Sequence, residues 1–237
     1  MPRYHLIACR VLKLELDHFT GLSKNTFTIN YLEQGLHNTP DLLRARLQDA
    51  VDAAPKEADA ILIGYGLCCN GITGLQARAA RLVIARAHDC ITYLLGSKEK
   101  YREYFDAHPG TYWYSPGWIE TGTQPGRERY ERLRKDYVEK YGEENADYLI
   151  EMEQGWMKKY SNAAYVDLGF DEGGAGKAFT RACAEFLGWH YDELVGRPDL
   201  VKRFVNGTWD KEDFLVVEPG ETIAASNDSR IVKTVRT

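Results

Sequence analysis

The residues best suited to chemistry in this chain are its cysteines and one histidine. Cysteines occur at positions 9, 68, 69, 90 and 183. The number is odd and the spacing is not that of a disulfide framework. In a reducing compartment they are free thiols, metal ligands or nucleophiles. His88-Asp89-Cys90 places an imidazole two residues from a thiolate, so in a turn both can face one centre while Asp89 orients the histidine from behind. Cys68, His88 and Cys90 make a mixed set of the kind zinc takes, with Cys9 as a fourth ligand or a reactive thiol, and Cys69 is a rival to Cys68. Three thiolates from Cys9, Cys68 and Cys90 suit an iron–sulfur cluster instead. There is no CxxC pair, so a zinc ribbon is excluded, and the plain rival is inert core thiols packing as small hydrophobes. Cys183, in the middle of FTRACAEFL, reads as core.

Other motifs dissolve on inspection. Gly173-Gly174-Ala175-Gly176-Lys177 resembles a phosphate loop, but Ala178 stands where Ser or Thr is needed and Asp171 replaces the leading glycine. Ser97-Lys98-Glu99-Lys100 has the S-x-x-K spacing without its partner motifs, so helix capping is the better reading. Gly64-Tyr65-Gly66 lacks the third glycine of a dinucleotide fingerprint, which argues against nicotinamide.

The elements that must position the thiols follow from hydropathy patterning. RYHLIAC (3–9), ADAILIG (58–64) and RLVIA (81–85) are continuous apolar runs, as expected of strands covered on both faces. Thr39 and Pro40 open a helix with Leu43, Leu47 and Val51 on one stripe, and Asp89 or Ser97 caps helical turns through Phe105. Residues 17–39 read as irregular, Leu75 to Ala80 as a short helix, and TYWYSPGWIE as a strand entering a Pro-Gly turn. Two amphipathic helices fill 126–160, with a break at Gly142, and could serve as a lid or a dimer contact. AAYVDLG is a strand, Ala175 to Leu187 a helix ending at Gly188, Asp199 to Val205 helical, and DFLVVEPGE a last strand. This alternation predicts one α/β domain over 1–237: a Rossmann-like, doubly wound, mostly parallel sheet with a helical insertion. In such sheets ligands bind beyond the carboxyl ends of the strands. Cys9, Cys68 with Cys69, and His88 with Cys90 follow the ends of three successive strands, which brings sulfur and imidazole to one edge.

The bulk numbers agree with a folded, soluble protein. The chain has 237 residues, 44% hydrophobic and 27% charged, with a formal net charge of -5. An acidic chain without a basic tract is a poor partner for nucleic acid. The N-terminal apolar run is interrupted at Arg10 and Lys13, and no stretch approaches the roughly 20 apolar residues of a membrane span, so a cytoplasmic protein is expected.

The runs LHNTPDLL, ILIGYGLCCNGITGL, VIARAHDCITYLLGS and GTYWYSPGWIE resemble the prokaryotic family catalogued as domain of unknown function 1638. The resemblance continues through EMEQGWMKKY, YVDLG and DFLVVEPGETI. Such proteins usually carry Pro-Arg before His-Asp-Cys, where this chain has Ala85-Arg86. The resemblance implies an association with anaerobes and with corrinoid-dependent methyl transfer, and so a corrinoid or methyltransferase partner. It places Cys9, His37, Tyr65, Cys68, Arg86, His88, Asp89, Cys90, Trp118 and Glu120 inside the family's motifs. On that footing the first expectation is a metal–thiolate enzyme, zinc-dependent or carrying an iron–sulfur cluster, acting on a small polar or one-carbon substrate. His37 or Glu120 would move protons, and Tyr65, Arg86 and Trp118 would line the pocket. The alternatives are a non-catalytic metal, cluster or corrinoid delivery protein, and a metal-free cysteine nucleophile activated by His88. Homo-oligomers are the common default for soluble enzymes.

Overall fold

The computed structural model describes residues 1–68 and 70–236. They divide into two compact units, one formed by Met1–Tyr101 with the chain from Gly196 onward, the other by Arg102–Val195. The first unit is built on a five-stranded sheet. Its strands are β1 (Arg3–Cys9), β2 (Thr26–Leu32), β3 (Ala60–Gly64), β4 (Leu82–Ala85) and β8 (Phe214–Val217), in the order β2-β1-β3-β4-β8. The first four are mutually parallel and β8 runs antiparallel to β4. Every residue of β3 and β4 is buried, which is why both read as unbroken apolar runs. Gly64 lies beside Ala8 in register, and a Cβ on Gly64 would stand 2.6 Å from the Ala8 Cβ, so β1 and β3 close tightly where the chain leaves the sheet.

Helix α1 (Lys13–Leu22) joins β1 to β2, and α2 (Pro40–Asp52) joins β2 to β3. Residues 17–39, expected to be irregular, therefore hold most of a helix and an edge strand. The helix buries Leu16, Phe19 and Thr20, and the strand TFTINYL is half-exposed, so it lacks the apolar run of its neighbours. The helix expected at Leu75–Ala80 is absent. That stretch is extended against β9 (Glu221–Ala225), with Ala77 N–H donating to Glu221 O and Ile223 N–H to Leu75 O. β9 itself pairs antiparallel with β10 (Val232–Arg236). Two short helices, α3 (Cys90–Leu95) and α4 (Lys98–Ala107), follow β4, capped by Asp89 and Ser97 respectively. Helix α9 (Asp199–Asn206) buries Leu200, Val201, Phe204 and Val205.

The Arg102–Val195 unit has its own parallel sheet: β5 (Thr111–Tyr114), β6 (Asn162–Asp167) and β7 (His190–Val195), in that order. The strands predicted in one sheet thus fall into two, plus the β9–β10 hairpin. The Pro-Gly turn expected after β5 is the start of α5 (Pro116–Thr121), because Ser115 caps it, accepting from Trp118 N–H at 3.2 Å, and Pro116 sits at its first position. The helical segment of 126–160 is α6 (Arg127–Tyr141) and α7 (Glu143–Glu153), broken at Gly142, where φ is +81°. Helix α8 (Ala175–Leu187) packs Cys183 and Ala184 against Tyr114, Ala163 and Tyr165. The phosphate-loop look-alike is filled by the protein itself. Asp171 accepts from Gly176 N–H at 2.9 Å and Lys177 N–H at 3.1 Å, where a phosphate would sit. Among the described residues, no helix is long and apolar enough to cross a membrane.

Candidate functional site

In the first unit the chain order reverses between β1 and β3, since β2 lies on one side of β1 and β3 on the other. Parallel sheets leave a crevice beyond the strand ends at such a reversal. Cys9 is the last residue of β1, and the segments after β3 and β4 run on beside one another beyond the sheet. Leu67 N–H donates to Ala87 O at 2.8 Å, and Cys68 N–H to His88 O at 3.0 Å. Gly66 permits this approach. A Cβ there would meet the Asp89 backbone nitrogen at 2.5 Å. Cys68 and Asn70 both have positive φ, at 45° and 67°, so the Cys68 thiol leaves a turn that ordinary side chains avoid. Cys69 lies outside the described residues.

Cys90 is the first residue of α3. Asp89 caps that helix, accepting from Ile91 N–H at 2.9 Å, and Tyr101 donates to the other Asp89 oxygen at 2.6 Å. Tyr93, on the same helix, ties it beneath the strand ends by donating to Ile63 O at 3.2 Å. These contacts hold Cys90 within reach of both Cys68 and Cys9.

Their electrostatics diverge. The hydrogen bond from Cys90 is the main cause that holds Cys9 below the usual thiol range, burial opposes it, and the Val11 N–H and the Tyr65 hydroxyl add to the lowering. Cys90 is pushed well above that range, first by its hydrogen bonds to Cys68 and Cys9 and then by burial. Charge is therefore favoured on Cys9 over Cys90. The Tyr65 hydroxyl is buried without an oxygen or nitrogen partner, and its interaction is with the Cys9 sulfur.

Of the other expected residues, His37 lies in the 3₁₀ turn Leu36–Asn38 after β2, half-buried, and burial lowers its pKa. His88 stacks on Tyr101 with ring centroids 5.7 Å apart. The hydrogen bonds that lower the Cys9 pKa come from Cys90, Val11 and Tyr65. Arg86 is occupied structurally. It donates to Lys211 O at 3.0 Å, Arg230 O at 2.9 Å and Val232 O, all backbone carbonyls of the C-terminal segment. Trp118 and Glu120 belong to α5 in the other unit, where Trp118 donates to the Tyr112 hydroxyl at 3.2 Å and Glu120 is exposed. Sequence reasoning passed over Glu15, a fully buried carboxylate in the first turn of α1, just past Cys9. Its signal was an acid set inside the apolar stripe of Leu12, Leu16 and Phe19.

Among the described residues, no group of three or more His, Cys, Asp and Glu side chains is arranged to hold a metal ion. What the arrangement does provide is a buried Cys9 sulfur whose charged form is favoured by hydrogen bonds from Cys90, the Val11 N–H and the Tyr65 hydroxyl. No curated protein and no solved structure matches the chain. The family model described as "Protein of unknown function (DUF1638)" matches residues 31–205, well over half of its length, and the chain belongs to that family.

Proposed function

We propose that this protein is a thiol-dependent enzyme in which Cys9 is the nucleophile and Cys90, Tyr65 and the Val11 N–H stabilise its thiolate. The observation that carries the reading is the setting of Cys9 at the end of β1 with Cys90, the Val11 N–H and the Tyr65 hydroxyl about its sulfur, contacts that favour charge on Cys9 and oppose it on Cys90. The unit that carries them is read as Rossmann-like, on the strength of its 2-1-3-4 parallel order with the order reversing beside Cys9. The substrate is a small polar electrophile. A one-carbon group is included, since a thiolate readily accepts a methyl group: the S–C bond forms as the carbon's bond to its leaving group breaks. His37, in the turn that follows β2, whose pKa burial lowers, is assigned the role of taking up a proton in this reading. Arg86 and Trp118 have no part in this reading.

A second reading, a zinc–thiolate or iron–sulfur site with either enzymatic or delivery duty, is favoured by one observation: Cys90 touches both Cys9 and Cys68. The described ligands do not make a complete set, and the corrinoid or methyltransferase partner rests on the resemblance alone.

The test is to treat anaerobically purified, chelator-washed protein with iodoacetamide across a pH series and map the label by mass spectrometry. One equivalent on Cys9, with a midpoint below that of an ordinary thiol, is expected. Labelling that disappears in metal-loaded protein and returns on chelation would move the metal reading ahead. Indifferent labelling of several cysteines at high pH alone would remove the nucleophile reading.

A further inference from the structure

The five-stranded sheet of the first unit ends on one side at β2, and among the described residues β2 pairs with β1 alone. Edge strands offer unpaired backbone groups, and proteins blunt them with charges, prolines or shortness. Other strands here are blunted in that way. β5 and β8 are four residues each, β7 carries Asp192 and Glu193, and β10 carries Lys233 and Arg236. β2 is seven residues long, reads TFTINYL and contains no charge, proline or glycine. It is also held in place by its own unit. Phe27 packs edge-on against Tyr4 with ring centroids 5.9 Å apart, and Tyr31 donates to Asp17 at 2.7 Å. Ile29, at the centre of the strand, is 37% exposed, and Leu22 and Leu42, on the two helices joined to it, are exposed as well.

The backbone of this edge has a fixed rhythm. Thr26 N–H donates to Pro2 O at 3.0 Å, so residues 26, 28, 30 and 32 turn their backbone groups toward β1, while Phe27, Ile29 and Tyr31 turn theirs outward. A partner strand must offer its own outward groups at the same alternate positions. A second β2 run antiparallel does so about a two-fold axis at Ile29. Ile29 then faces the partner's Ile29, and Phe27 faces the partner's Tyr31, each pair exchanging N–H···O bonds. The ends are complementary in charge. Exposed Lys24 precedes the strand and exposed Glu33 follows it. Antiparallel pairing brings each Lys24 to the end that holds the partner's Glu33, whereas a parallel pair would set like charges together. Such a contact closes after two copies and leaves no free edge at β2. We propose that β2 is a dimerisation edge, through which two copies of this chain join antiparallel into one continuous sheet.

Sedimentation velocity and light scattering on the full chain over a dilution series test the idea. The parent should be a dimer that dissociates on dilution. Ile29→Lys sets two like charges opposite one another across the axis, at a position that is already exposed, and should give a monomer. Its far-ultraviolet circular dichroism and cooperative unfolding should persist, which separates lost pairing from lost folding. Val235→Lys, on exposed β10, should leave the dimer intact. Lys24→Glu should weaken the dimer several-fold, and adding Glu33→Lys should restore it, a recovery that needs a second copy in this orientation. A parent that stays monomeric at high micromolar concentration would leave the edge to some other strand and overturn the proposal. A folded Ile29→Lys variant that dimerises like the parent, or a charge-swapped double variant that fails to recover, would overturn it as well.

Discussion

Cys9 and Cys90 share one hydrogen bond that acts on the two thiols in opposite directions, favouring charge on Cys9 and opposing it on Cys90. Replacing Cys90 by Ala removes the largest stabilising contact of the Cys9 thiolate. The midpoint of Cys9 alkylation should rise, and the thiolate fraction at neutral pH should fall with it. The linkage has a definite sign. A folded-state pKa below the ordinary thiol value means that Cys9 supports folding above that ordinary value, and the support is lost as pH falls through the lowered one. Alkylation profiles of the two proteins check this, and an unmoved midpoint in Cys90→Ala would contradict it.

Gly66 makes a separate prediction about how the site is held. A methyl group there would lie 2.5 Å from the Asp89 nitrogen and 2.8 Å from the His88 carbonyl carbon, both backbone atoms that cannot swing aside. The segments after β3 and β4 would have to part, straining the bonds Leu67 N–H to Ala87 O and Cys68 N–H to His88 O. Gly66→Ala should cost about 2 kcal/mol or more in urea unfolding, as other overpacked interiors do. Alkylation of Cys9 should also lose its low midpoint, because Cys90 moves with that segment. A variant as stable as the parent would show that the two segments are not locked together.

The contrast between these residues shows what could be read in advance. β1, β3 and β4 were legible because burial on both faces writes an uninterrupted apolar run, and parallel order then delivers Cys9, Cys68 and Cys90 to one edge. β2 was not, since its half-exposed TFTINYL carries neither a run nor a clean alternation. The division into two sheets was hidden because strand pairing is a long-range choice that local pattern does not encode. Cys9 looked like the least of the three thiols, yet its charge is set by contacts with residues 65 and 90, far along the chain. Arg86 sat in a motif beside His88 and Cys90 and invited a role in the pocket. Its guanidinium instead serves carbonyls more than 120 residues away.

Arg86 brackets an unusual residue. Ile231 has φ of 65°, a conformation that β-branched side chains rarely adopt, and the carbonyls on either side of it, Arg230 O and Val232 O, both accept from the Arg86 guanidinium. The clamp holds the start of β10 in this strained form. Arg86→Met keeps the length and deletes the donors, leaving three carbonyls to find water. Loss of about 2–4 kcal/mol is expected, together with faster amide exchange in β9 and β10 than in β1. Uniform exchange across both regions would mean that the hairpin does not depend on this side chain.

Cys183 gives the clearest pH signature. It is buried against Tyr114 and Tyr165, and burial, partly offset by the Tyr114 hydroxyl, pushes its thiol from 9.0 to about 11. A folded-state pKa above the unfolded one means stability that is intact below pH 9 and declines as pH rises towards 11, because only the unfolded chain then sheds the proton readily. A rise of that size corresponds to roughly 2–3 kcal/mol across the window. Tyrosines and lysines titrate there too, so the quantity to measure is the difference in unfolding free energy between the parent and Cys183→Ala at pH 8 and at pH 10.5. At pH 8 the variant should be less stable, from the cavity it leaves beside Tyr114. By pH 10.5 the gap should narrow by about 2 kcal/mol, since the variant has no thiol to keep protonated. A gap that holds constant with pH would place Cys183 in a more polar setting than its packing indicates.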